Sequence, residues 1–177
     1  MLARIDIWKI ICDHFATLRR IDDGSKNMSI NDCVIFIFLP LVLSSIFVRL
    51  GFSIKLQLSN LISAVSIFGG FLFNLLAIIY SQFDKIQKDS QTGQNTELKK
   101  RFIREIHSNI SFCIVLSVFI VLVLFFDAIE IPDKNYWLDP RHVQDFVTFY
   151  LLLLLLFTTL MVINRVYILL KKDVENR

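Results

Sequence analysis

Four stretches of this chain contain no Asp, Glu, Lys or Arg: 33–48, 56–83, 106–126 and 146–164. With charge at 20% of positions, random scatter almost never leaves a gap as long as 56–83. The segregation points to a solvent that rejects charge, at about 2.5–3.5 kcal/mol for each Asp, Lys or Arg at mid-membrane. The pattern predicts an all-α polytopic membrane protein with four transmembrane helices, at about 31–50, 57–81, 108–128 and 144–170. Two units follow, a cytoplasmic amphipathic arm over 1–29 and the four-helix membrane domain over 30–177.

The arm places Leu2, Ile5, Trp8, Ile11, Phe15 and Leu18 on one helical face. Such a helix is expected to lie in the headgroup plane, against the bundle, or on a partner protein. After the break at IDDGSKNMSIND, Ser29 with Asp32 forms an N-cap signal for the first span. Pro40 inside that span removes one helical hydrogen bond and predicts a kink. The connection RLGFSIKLQ is so short that the first two spans are expected to be antiparallel neighbours.

In the second span Ser59, Ser63, Ser66, Gly70, Asn74, Ala77 and Ser81 recur every three or four residues and share an arc of about 80°. In lipid, helices associate by close backbone approach and interhelical hydrogen bonds, which small residues permit. This helix-packing face has three possible uses: a seam within the chain, an oligomer interface, or a polar pore lining. Past Tyr80 the helical pattern runs on, breaks around Gly93 and resumes at Thr96, which predicts a cytoplasmic helical hairpin extension between spans two and three. There Phe83 and Ile86 would face Leu98, Phe102 and Ile106. Span three is nearly featureless, with Ser111 and Ser117 as its polar points and Asp127 closing it, and the run Leu151–Leu156 in span four looks lipid-facing.

Charge then sets the topology. Of the 19 Lys and Arg, fifteen fall in the arm, the middle loop and the tail, so both termini and that loop are expected on the cytoplasmic side of a prokaryotic inner membrane. The third loop is acidic and carries Tyr136 and Trp137, suited to an outer interface. The basic excess is thus explained by topology and anionic lipid, and direct nucleic-acid binding is not inferred.

Chemistry is sparse. The three cysteines, Cys12, Cys33 and Cys113, form neither a C-x-x-C nor an even set. Neighbouring Cys12, Asp13 and His14 cannot converge on one ion from a helix, and a ribonuclease-like R-x5-H drawn from Arg101 to His107 abuts the bilayer with Phe102 beside its arginine. The expectation is a non-enzyme without metal or cofactor.

A short arm, two hairpins of spans and a charged cytoplasmic connection, running from MLARIDIWKIICDHF to LLKKDVENR, resembles in architecture the small four-span membrane subunits of prokaryotic antiphage systems, and among them the membrane subunit of the Kiwa system. The resemblance implies a tetrameric inner-membrane sensor that holds a cytoplasmic DNA-binding partner. From the residues themselves, the expected function is an oligomeric sensor or scaffold that signals to a soluble cytoplasmic protein. Its output face would comprise Trp8, Phe15, Arg19, Arg20, Lys99, Lys100, Arg101 and Arg104, and its outer detector Tyr136, Trp137 and Asp139. The competing expectations are a pore-forming effector lined by the face that contains Asn74, and a small transporter or assembly factor.

Overall fold

The computed structural model describes residues 6–17, 34–88, 94–128 and 140–175. Its elements are helices throughout, in the order α1 (Ile7–Thr17), α2 (Leu39–Arg49, entered through a π turn at Val34–Phe38), α3 (Leu58–Lys88), α4 (Gln94–Asp127) and α5 (Pro140–Glu175). Three of them contain stretches long and apolar enough to cross a membrane, at Lys55–Ser81, Lys100–Asp127 and His142–Ile168. Val34–Arg49 is equally apolar but shorter; at 1.5 Å per residue it reaches about 24 Å, against roughly 30 Å of hydrocarbon.

The π turn has a local cause. Pro40 carries no N–H for the Phe36 carbonyl four residues earlier, and its ring crowds that carbonyl. The backbone relieves the conflict by widening into the turn at Val34–Phe38. At its other end α2 stops in a Schellman motif. Gly51, at φ +77°, lets its own N–H reach the Val48 carbonyl at 3.0 Å and lets the Phe52 N–H reach the Phe47 carbonyl at 3.1 Å. The rings of Phe47 and Phe52 then pack edge to face, their centroids 5.8 Å apart.

The four long elements form a row, α3–α4–α5–α2, with α1 docked on α4. The expected pairing of the first two spans is therefore corrected: α2 packs along α5, where Phe47 meets Phe149 at 5.4 Å, and the short connection leads α3 away toward α4. A tight turn limits the distance between two helix ends, and leaves the rest of two long helices free to diverge. Burial follows the same plan. Ile106, Ile110, Cys113, Ile120 and Leu124 of central α4 are completely enclosed, spaced as the inner positions of a heptad. Helix α3 answers with Val65, Leu72 and Ile79, also at seven-residue intervals. Gly69 allows a close approach, since a β-carbon there would lie 2.7 Å from Ser117 Oγ.

The leucine run of α5 is corrected as well. Leu151 and Leu155 are buried while Leu156 is exposed, because six consecutive helical residues cover every side of a helix packed between α4 and α2. Thr158 and Thr159 bond back to the carbonyls of Leu154 and Leu155, so neither hydroxyl enters the apolar packing unpaired.

Helices α3 and α4 extend to Lys88 and from Gln94, either side of the break expected near Gly93. Gly93 itself, the Ser29 cap, and the side chains of Phe83, Ile86 and Leu98 lie outside the described residues.

Candidate functional site

Two features of this row stand out, one on the outer side of α3 and one where α1, α4 and α5 meet.

On α3, residues Ser59, Ser63, Ser66, Gly70, Asn74, Ala77 and Ser81 are all exposed. The seam with α4 is made by the stripe through Val65, Leu72 and Ile79, about 160° around the helix from them at 100° per residue. Among the described residues, no helix packs on the small-residue face. A β-carbon at Gly70 would touch nothing within 4 Å, in contrast to its neighbour Gly69. Large exposed side chains border the stripe, with Ile67, Phe71 and Ile78 on one flank and Phe73 and Tyr80 on the other. The result is a face with a small-residue floor between bulky rims. Asn74 sets a bare amide in its floor.

The second feature is a polar node (Fully buried His14 lies flat on Phe112, with ring centroids 3.9 Å apart and planes 2° from parallel). Its Nδ1 is 2.8 Å from Asn109 Oδ1, and Thr17 Oγ1 is also 2.8 Å from that oxygen. The Thr17 hydroxyl has a second acceptor, the His14 carbonyl, at 2.7 Å, and one proton cannot serve both. Meanwhile Asn109 Nδ2 is buried with no partner. Asn109 Oδ1 is thus the shared oxygen of the node, facing both His14 Nδ1 and the Thr17 hydroxyl.

Arg165 of α5 closes the node. One guanidinium nitrogen donates to Glu105 of α4 at 2.6 Å and another to the Thr17 carbonyl at 2.8 Å, which caps the C-terminal end of α1. Glu105 also accepts a looser contact from Arg101 at 3.6 Å. Burial, first, and the Arg165 charge lower the His14 pKa to about 4, although its bond with Asn109 pulls the other way.

At the opposite end of the row, Thr148 donates to Asp127 at 3.2 Å, and Asp145 accepts from the Ile54 N–H at 3.3 Å. These bonds tie α4 to α5 and α5 to the connection between α2 and α3.

The expected output residues separate into different environments. Trp8 is 73% exposed, turned away from the bundle, because the docking face of α1 runs through Ile10, Ile11, His14 and Thr17. Phe15 is half-buried and meets Phe112 edge to face. Arg104 is exposed, Arg101 is held by Glu105, and Lys100 is half-buried. Arg19, Arg20, the side chain of Lys99, and Tyr136, Trp137 and Asp139 lie outside the described residues. Arg101 and His107 of the R-x5-H pattern point differently, the first to Glu105 and the second to the exterior. Sequence reasoning missed His14, Thr17, Glu105, Asn109 and Arg165 as a set. The available signal was an amide at 109 at the start of an apolar stretch.

The class these observations define is a protein whose described residues are helical, with three helices among them long and apolar enough to cross a membrane. Comparison with protein-family models, with curated proteins and with solved structures finds no match.

Proposed function

We propose that this chain is a homo-oligomeric membrane scaffold that assembles through the outer groove of α3 and presents a cytoplasmic surface to a soluble partner. In this reading Val34–Arg49 is a fourth crossing, both termini lie in the cytoplasm of a prokaryotic cell, and α1 with the α3–α4 extension forms the output side. The single observation that carries the reading is the exposure of all seven small or polar residues of α3, including Asn74. A serine- and asparagine-bearing face gains little from lipid tails, whereas a second copy offers close packing and amide hydrogen bonds. The architectural resemblance supports a place in antiphage defence, with a DNA-binding protein as the partner.

The test is purification of the tagged full-length protein in mild detergent from its native host, with the complex mass and co-purifying proteins recorded. A defined oligomer with a stoichiometric soluble protein supports the scaffold. A bare monomer contradicts it. The same exposed amide and hydroxyls favour a second reading, a pore lined by α3. A pore predicts loss of membrane potential on activation, and a scaffold that works at constant potential removes it.

A further inference from the structure

The connection between α2 and α3, residues 50–57, carries large apolar side chains on its outside: Leu50, Phe52 and Leu56 are 68%, 57% and 92% exposed. Its backbone nonetheless turns to the protein for hydrogen bonds. The Schellman motif takes the N–H groups of Gly51 and Phe52. Asp145 of α5 accepts from the Ile54 N–H at 3.3 Å, the Ser53 hydroxyl from that of Lys55 at 3.4 Å, and the Ile54 carbonyl from that of Gln57 at 2.9 Å. The Gln57 side-chain carbonyl is taken as well, by the Asn60 amide at 2.8 Å. A loop in water can leave such groups to the solvent. Bare apolar side chains over internally paired donors suit a medium that offers no hydrogen bonds.

Height, shape and charge agree. Buried Ile54, tied to Asp145, holds the connection at the level where the charge-free stretch 146–164 begins. Val42, Ile46 and Leu50, each about one turn from the last, form an exposed apolar ridge that runs off α2 into the connection. Arg49 and Lys55 flank the tip, and no Asp or Glu occurs between Asp32 and Asp84, so the local charge complements lipid phosphate.

We infer that the α2–α3 connection is a lipid anchor: Leu50, Phe52 and Leu56 insert among the acyl chains just below the headgroups, and Arg49 and Lys55 reach up to the phosphates. The occupant of this surface is phospholipid. The anchor also completes α2, whose apolar length of about 24 Å falls short of roughly 30 Å of hydrocarbon, because the side chains of the connection continue its lipid-facing surface. The inference rests on the membrane-spanning part of the proposed function and stands whether or not α3 binds a second copy.

The experiment is fluorescence quenching of the full chain, with Trp8→Phe and Trp137→Phe, carrying one reporter tryptophan at a time. The chain is placed in nanodiscs of phosphatidylcholine brominated either near the headgroup end or near the methyl end of the acyl chain. Leu56→Trp, at a position exposed enough to accept the larger ring, should lose most of its emission to headgroup-end bromine, severalfold less to methyl-end bromine, and little to aqueous iodide. Phe52→Trp is the second reporter and should behave alike. Ile67→Trp, 75% exposed on α3 and about 16 Å further along, is the control and should be quenched best by methyl-end bromine. If the control answers to bromine while both reporters answer to iodide, the anchor is overturned and the spans stand. Reporters shielded from both quenchers would mean that protein covers the connection, which also overturns it. A control that answers to iodide rather than bromine removes the membrane reading, and the anchor with it.

Discussion

Gly69 and Ser117 meet so closely that a β-carbon on the glycine would lie 2.7 Å from the serine oxygen, while the adjacent Gly70 faces open space. That oxygen is committed to the Ile114 carbonyl at 2.8 Å, so it yields only by giving up a hydrogen bond. Two consecutive glycines, about 100° apart around α3, therefore serve different surroundings. Gly69→Ala should destabilise the single chain by about 1–3 kcal/mol through overpacking, and Gly70→Ala should leave chain stability unchanged. Reversible unfolding in mixed micelles distinguishes them; equal losses would refute the assignment of sides.

Gly51 closes α2 in a left-handed conformation. Replacing it with Ala places a β-carbon against the following carbonyl, at a cost of about 1 kcal/mol. Gly51→Asn should cost less, since Asn tolerates this region. The same unfolding assay checks both, and an Ala variant as stable as the parent would show that the motif is dispensable.

Arg165 and Glu105 are mostly buried and joined at 2.6 Å. Removing Arg165 leaves mostly buried Glu105 with only its looser 3.6 Å contact to Arg101, so Arg165→Met alone should cost about 3 kcal/mol. The double variant with Glu105→Leu should recover most of that loss, because two apolar side chains leave no uncompensated charge. A double-mutant cycle gives the coupling directly, and additive losses would mean that the two groups act independently.

How far the sequence discloses this arrangement differs from element to element. The charge-free gaps mark three long apolar helices, because exclusion of charge is a property of each residue by itself. The α3–α4–α5–α2 order is not legible, since the connection at 50–57 restrains helix ends and leaves their packing faces undecided. The stripe from Ser59 to Ser81 is visible as a face, but its direction depends on where the Val65, Leu72 and Ile79 seam finds its partner. Asn109 and Arg165 are ordinary residues for the ends of membrane helices and His14 for an amphipathic arm, and only the docking of α1 brings them together.

Asn74 lies midway along the groove floor. If its amide bonds across a second copy, Asn74→Leu should weaken self-association by roughly 3- to 10-fold, on the scale of about 1 kcal/mol for such bonds in membranes. Förster transfer between labelled chains in nanodiscs or vesicles measures this. Unchanged association would place Asn74 against lipid.

The assembly of copies through α3 is tested most directly by native mass measurement of the full chain and of its Gly70→Leu variant, side by side in the same detergent. The account predicts a defined multiple of 20.7 kDa for the parent and a shift to monomer for Gly70→Leu, with helix content and unfolding unchanged. A parent that runs as a monomer, or an oligomer indifferent to a leucine in the groove floor, would contradict it.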